Sequence, residues 1–218
     1  MPPTPAALDV AAAVERALTL VADPPPTGRA VLGIAGSPGS GKSTLARRVV
    51  AAVTEAHGPG VAVQVPMDGF HLANTALAAL GRSDRKGAID TFDAAGYVAL
   101  VRRLVAADED VTWAPDFDRR VDEPVAGSIA VPRAVRLVVT EGNYLLDRDE
   151  PWALLPGLLT ETWFCRTDDA VRIDRLVGRH MRDGRDHAAA RAWATEVDGA
   201  NARRIEPTAD RADLVVTT

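Results

Sequence analysis

Cysteine is almost missing from this chain: there is one, Cys165, in 218 residues. A single thiol excludes an intramolecular disulfide framework and fits a reducing cytosol. It stands in the apolar run TWFC, where a buried strand thiol is expected. Lysine is nearly as scarce. Only Lys42 and Lys86 among the 25 basic residues are lysines, so each marks a place where a compact ammonium is wanted instead of a planar fork. Aromatic residues make up 5% of the chain, which leaves few platforms for sandwiching a base. No apolar run approaches the roughly 20 residues of a membrane-spanning helix. The opening MPPTPAALDV has no basic n-region, and the acidic and basic side chains of Asp9, Glu15 and Arg16 interrupt the apolar residues around them. Neither a signal peptide nor a membrane anchor is expected, and the protein reads as cytoplasmic. An excess of positive charge is also lacking. A formal net charge of -5 offers no general attraction for nucleic acid or an anionic membrane, so any anion must be held by a local site.

What is present is ordinary globular chemistry, with 47% hydrophobic and 25% charged residues in a length that suits one domain. Apolar runs at 30–36, 61–65, 134–140, 161–167 and 213–217 read as five strands. Helical spacing occupies 6–22, 42–57, 72–80, 93–107 and most of 168–204. Short buried strands alternating with helices predict an α/β protein: three layers, a five-stranded, mostly parallel sheet, and helices on both faces. Residues 1–29 read as an N-terminal helix and loop, and 168–204 as a helical lid. Residues 111–133, with Pro115, Pro124 and Pro132, read as an insertion over the sheet edge and the acceptor site.

The segment GIAGSPGSGKST holds a full G-x-x-x-x-G-K-[ST] pattern from Gly36 to Ser43, after a strand and at the start of a helix. Gly36, Gly39 and Gly41 let backbone N–H groups turn inward, and Ser37, Ser40 and Thr44 complete a phosphate cradle at the helix N-terminus. Lys42 is expected to reach the β- and γ-phosphates of ATP, and the Ser43 hydroxyl to ligate Mg²⁺. Glu141, at the end of the VVTE strand, is a second candidate for the ion. No N-K-x-D run for a guanine base follows a late strand, so a GTPase switch is not indicated.

In an open parallel sheet, ligands collect outside the carboxyl ends of the strands. That rule places Asp68, in VPMDGFHL, beside the phosphate loop. A carboxylate there repels phosphate unless it has a task, and accepting the proton of an incoming hydroxyl is one. Gly69 would let the chain turn sharply and present Asp68 to the cleft. A solvent-facing Asp-Gly turn is the plainer alternative. Arg172, Arg175, Arg179 and Arg182 fall at i, i+3, i+7 and i+10, one helical face on which four like charges invite an anion. Solvation of that face, with Asp169, Asp174, Asp183 and Asp186 as counterions, is the alternative there.

Behind GSPGSGKST, the segments MDGFHLAN, RKGAIDTFD and VVTEGNYLL occur in an order that resembles the phosphoribulokinase, uridine kinase and pantothenate kinase group of P-loop kinases. The D-G-F-x-x-x-N and K-G-x-x-[DE]-[ST]-[FY]-D patterns are similar to bacterial pantothenate kinase. The run from Arg175 through Arg179, Arg182 and Arg185 to Asp186 is similar to uridine kinase. The nearest likeness is to small bacterial nucleoside/nucleotide kinase-like proteins, often labelled fructose-transport-associated. The resemblance implies Asp68 as base, Lys42 on phosphate, and the lid arginines Arg179, Arg182 and Arg185 closing over ATP, with Arg179 counted as catalytic. His71, Asn74, Lys86 and Arg119 are the candidates for reading the acceptor.

Two departures bear on that acceptor. Gly87 stands near the place where uridine kinase carries a ribose-reading acid, and APDFDRRVDEP replaces the tyrosine-rich segment of pantothenate kinase. The expected activity is transfer of the γ-phosphoryl group of MgATP to a hydroxyl of a compact small metabolite, pantothenate-, sugar- or nucleoside-like. Phe70, Phe92 and Phe117 are the available platforms for a base. A regulatory or chaperone-type NTPase that hydrolyses ATP without an acceptor is the alternative from another class. No nucleic-acid or membrane partner is expected, and a homodimer is compatible with the sequence.

Overall fold

Residues 5–218 are described by a computed structural model, and the apolar runs meet in it as one parallel sheet. Along the chain the elements are β1 (Ala6–Leu8), α1 (Val10–Ala22), β2 (Ala30–Ala35), α2 (Lys42–His57), β3 (Ala62–Pro66), α3 (Asn74–Ala79) and α4 (Ala94–Ala106). Next come β4 (Val111–Asp118), β5 (Glu123–Pro132), β6 (Leu137–Gly142), β7 (Glu161–Arg166), α5 (Asp169–Arg182), α6 (His187–Ile205) and β8 (Leu214–Thr217). The sheet order is β1-β8-β7-β2-β6-β3, with every neighbouring pair parallel. All residues of β2 and β6 are buried, as central strands covered on both faces must be.

Helices α1 and α2 pack one face through Ala13, Ala17, Leu45, Val49 and Val53 against Leu32, Ile34 and Trp163. On the other face Tyr97, Val101 and Leu104 of α4 pack with Val31, Val138, Phe164 and Trp152. The Tyr97 hydroxyl and the Thr140 hydroxyl, 2.6 Å apart, satisfy each other inside this second layer. The three-layer α/β expectation holds.

The strand count does not. The sheet has six strands, because residues 6–8, which the helical spacing had absorbed into an N-terminal helix, pair with β8. Three residues are too few to show a period of two. The chain turns at Asp9, whose carboxylate accepts from the Ala12 N–H at 2.8 Å and so starts α1 only after the strand.

Residues 111–133 are also more regular than an insertion: β4 and β5 form an antiparallel hairpin whose register shifts between Ala114 and Asp116. Pro115 sits at that shift, since it has no N–H to give the ladder. Helices α5 and α6, N-capped by Asp168 and Asp186, pair through Leu176, Val177, Ala190 and Ala194. Cys165 is a buried strand thiol, and burial pushes its pKa up. Among the described residues, no helix is long and apolar enough to cross a membrane.

Candidate active site

The loop between β2 and α2 runs through Gly39 and Gly41 at φ of 81° and 95°, a region that glycine adopts without strain. Close packing adds a second constraint. A Cβ on Gly36 would stand 2.7 Å from the Cys165 carbonyl oxygen, and one on Gly39 would stand 2.7 Å from that of Arg172. The cradle is therefore pressed between the end of β7 and α5. Ser37 is fully buried, and its hydroxyl donates to Glu206 Oε1 at 2.5 Å, which ties the loop to the segment after α6. Ser40 Oγ is buried with no partner among the described residues. Among the described residues, Lys42 Nζ has only a 3.5 Å hydrogen-bond contact, to the Ser37 carbonyl. An ammonium so weakly engaged at a helix N-terminus is free to meet phosphate.

Strands β2, β6 and β3 lie side by side, so the residues that come after them share one edge of the sheet. Glu141 is the last residue but one of β6 and is buried. Burial pushes its carboxyl pKa up and nearby Asp68 adds to this, while Lys42, the Ser43 hydroxyl and Arg119 pull it down. Gln64 approaches the same carboxylate at 3.4 Å. A buried carboxylate with its nearest cation on a flexible stem suits a divalent ion, and Ser43 and Glu141 together fit Mg²⁺. Among the described residues there is no cluster of three His, Cys, Asp or Glu side chains for any other metal.

Asp68 lies in the single turn of 3₁₀-helix Met67–Phe70 that comes after β3, its side chain 39% exposed. Arg119 of the hairpin approaches it at 3.9 Å. Gly69 is not the hinge that the sequence suggested. Its φ is not positive; it is glycine because the Pro115 carbonyl oxygen would lie 2.4 Å from a Cβ. The hairpin thus rests directly on the backbone that carries Asp68. His71 Nδ1 donates to the Asp68 carbonyl at 2.8 Å, and its ring contacts Phe92 and Phe117 with centroids 4.0 and 4.9 Å away. Burial holds the His71 pKa below its ordinary value, despite the opposing pull of Asp68. The imidazole is therefore neutral near pH 7.

The candidate acceptor residues divide. Lys86 Nζ donates to Asn74 Oδ1, the Asp122 carbonyl and Asp122 Oδ2 at 2.7, 2.5 and 2.8 Å. That occupies all three of its donors. The Asn74 N–H in turn donates to both oxygens of Glu123, and its amide nitrogen to the Asp122 carbonyl. These two residues clamp the hairpin tip onto α3. Lys86, Arg119 and His71 line the cavity itself, but Lys86 does so with its donors already engaged.

The four-arginine face is also divided. Arg172 is buried, with Nε 2.9 Å from Asp169 and Nη1 3.3 Å from the Pro38 carbonyl, so it braces the phosphate loop from behind. Helical period placed it with the others but could not say which part of the face abuts the loop. Arg175 approaches the Gly39 carbonyl at 3.4 Å. Arg179 and Arg182 form no ion pair among the described residues, and Arg185 lies 4.0 Å above the Trp193 ring.

Between Asp68 and α6 lies a cavity of about 260 Å³ that takes in Lys42, Ser43, Glu141, His71, Arg119 and Arg179. The same cavity reaches residues that motif reading missed: Asn143, His180, Asp198 and Asn201. A signal for two of them exists in the sequence. Asp198 continues the buried stripe of Ala190 and Ala194 at steps of four, and His180 comes after Leu176 by the same step. A polar residue in an apolar stripe asks for a partner, and these two are partners at 2.7 Å. A second cavity, at Gly41, Thr44, Arg48, Arg175 and Thr218, opens on the other side of the phosphate loop.

No sequence profile of a known family matches the chain. The chain is 33% identical over 192 residues to Escherichia coli YggC, covering 88% of this chain and 78% of that protein. It is 34% identical over 160 residues to a Schizosaccharomyces pombe protein named as a candidate uridine kinase, covering 72% of this chain and 68% of that protein. A solved structure from Silicibacter sp. TM1040, described as a candidate fructose transport system kinase, superposes with a TM-score of 0.85 at 38% identity. It covers 95% of this chain and 98% of the other.

Proposed function

This chain belongs to the phosphoribulokinase, uridine kinase and pantothenate kinase group of P-loop kinases, and from that premise we propose that it transfers the γ-phosphoryl group of ATP to a hydroxyl of a small metabolite. The observation that carries the reading is the shared cavity. Lys42 and Ser43 from the phosphate loop, Glu141 from β6 and Asp68 from the turn after β3 line one enclosure that also has room for an acceptor.

The phosphates of ATP lie along the cradle N–H groups, and the base takes the cavity at Thr44, Arg48, Arg175 and Thr218. Mg²⁺, held by Ser43 and Glu141, supplies neutralisation of phosphate charge when bound. Lys42 places its ammonium where the transferred group becomes most negative. Arg179 and Arg182, unpaired among the described residues and on the lid, close over the same oxygens, with Arg185 at the rim. Asp68 accepts the proton of the attacking hydroxyl. Arg119 and the His71 hydrogen bond to the Asp68 carbonyl hold that carboxylate at the cavity.

A hydrolase without an acceptor would make little use of a carboxylate braced beside an acceptor-sized enclosure. Asp68→Asn, which keeps the shape and deletes the basic oxygen, separates the two. ATP affinity should stay within a few-fold while acceptor-dependent turnover falls by roughly 10² to 10⁴. Unchanged acceptor-dependent turnover, measured by coupled ADP release, would return Asp68 to the role of a turn residue.

A further inference from the structure

The acceptor end of the cavity has no place for a base. Phe70 is turned into the core, edge-on to Tyr97 at 5.2 Å. Phe92 and Phe117 both rest against His71, whose imidazole occupies the space that a stacked base would need. His71 is kept there by its hydrogen bond to the Asp68 carbonyl. Trp193 carries the Arg185 guanidinium over its face. A stacked nucleobase must displace one of these groups.

An anionic acceptor finds little more. Lys86, the natural partner for a carboxylate at this end, has every donor committed to Asn74 and Asp122. Arg119 stands at the reacting end, beside Asp68. What the far wall does offer is acceptor atoms. Asp198 is 7% exposed and receives His180 Nε2 on Oδ2 alone, so Oδ1 accepts nothing from the described residues. Asn201 uses its amide nitrogen on the Gly87 carbonyl at 3.4 Å, and its Oδ1 also accepts nothing from the described residues. Asn143 Oδ1 is buried and unpartnered among the described residues. Leaving the buried Asn143 oxygen without a donor costs about 1–3 kcal/mol, whereas Asp198 and Asn201 line the open cavity, where ligand O–H groups can donate to their free oxygens. At about 260 Å³ the cavity has room for a small polyhydroxylated compound, and it continues past Phe117, Arg119 and Arg185 into a wider cleft of about 710 Å³.

We infer that the acceptor is an uncharged polyhydroxylated compound, a sugar or polyol, whose hydroxyls are read by Asp198 and Asn201, with His180 orienting Asp198. This rests on the kinase reading above and narrows it. In the transfer itself the acceptor O–H loses its proton to Asp68, its oxygen bonds to the γ-phosphorus, and the bond to the β,γ-bridging oxygen breaks to release ADP.

The full chain with MgATP is assayed for ADP release against three groups of probes. These are fructose, ribose and ribitol; glycerate, gluconate and pantothenate; and uridine and cytidine. A neutral sugar or polyol should raise turnover at least tenfold over the basal rate, and the other two groups should not. Asp198→Asn and, as a variant less tied to helix packing, Asn201→Ala should each raise the KM for that acceptor about 10- to 100-fold. The KM for ATP and kcat should stay within a few-fold, a split that a merely structural defect would not produce. Selective stimulation by a nucleoside or an acid would overturn the inference and leave the kinase reading intact. Stimulation by none of the three groups would overturn both. An unchanged acceptor KM in both variants would remove Asp198 and Asn201 from recognition.

Discussion

Lys42 and Lys86 are the two lysines of an arginine-rich chain, and each is lysine for a different reason. Lys86 needs three donors radiating from one point, because its acceptors come from Asn74 and from both the backbone and side chain of Asp122. Lys42 needs slimness. It opens α2 from a loop whose Gly36 and Gly39 are packed against neighbouring backbone, and a point-charge ammonium on a slim stem suits phosphate there better than a planar fork does. Lys42→Arg should therefore abolish transfer nearly as fully as Lys42→Ala, although it preserves charge. Turnover near wild type in the arginine variant, by the same coupled assay, would show that charge alone is what the site requires. The scarcity of lysine made Lys42 conspicuous in the sequence, and the glycine spacing around it suggested a place on phosphate. For Lys86 the same scarcity was misleading as to function, since its partner Asp122 lies 36 residues away and only the folded hairpin reveals it.

Elements whose position is set by their own strand were legible; elements defined by what they touch were not. The strand-end rule put Asp68 and Glu141 at one edge because β3 and β6 are parallel neighbours, a matter of chain order and apolar runs. The hairpin β4–β5 was opaque, for its three prolines hide the alternation and its docking site is the backbone of Gly69. That contact makes a test of how closely hairpin and base are coupled. Gly69→Ala brings a Cβ to 2.4 Å from the Pro115 carbonyl oxygen and 2.7 Å from its carbon, backbone atoms that cannot swing aside as a side chain does. Overpacking of this kind costs about 1–3 kcal/mol. Urea unfolding should show that loss, and because the hairpin carries Arg119, acceptor-dependent turnover should fall while ATP binding persists. A variant as stable and active as the parent would mean that the hairpin shifts without consequence for Asp68.

At the scale of the whole molecule, the chain carries a net charge of -5 and yet gathers Lys42, Arg47, Arg119, Arg175, Arg179 and Arg182 around the cleft beside the phosphate loop, against Asp183. A chain that is acidic elsewhere and cationic at one edge of its sheet is suited to draw a polyanion to that edge. The phosphate loop is held from three directions: by Arg172 of α5, by Glu206 after α6, and by its own strand. Ligand that fills the loop should thus stabilise the lid and the sheet together, as one unit. At a free MgATP concentration about one hundred times its Kd, linkage gives about 2.7 kcal/mol. For a domain of this size that corresponds to a rise in Tm of roughly 5–10 °C. Three variants then sort the roles. Asp68→Asn should keep the full shift, since it acts on the acceptor; Lys42→Ala should lose most of it. Glu141→Gln should keep a reduced shift that EDTA no longer changes, whereas EDTA should sharply cut the shift of the parent protein. A parent shift indifferent to EDTA would take the divalent ion away from Ser43 and Glu141. It would leave the buried Glu141 carboxylate balanced by Lys42, the Ser43 hydroxyl and Arg119.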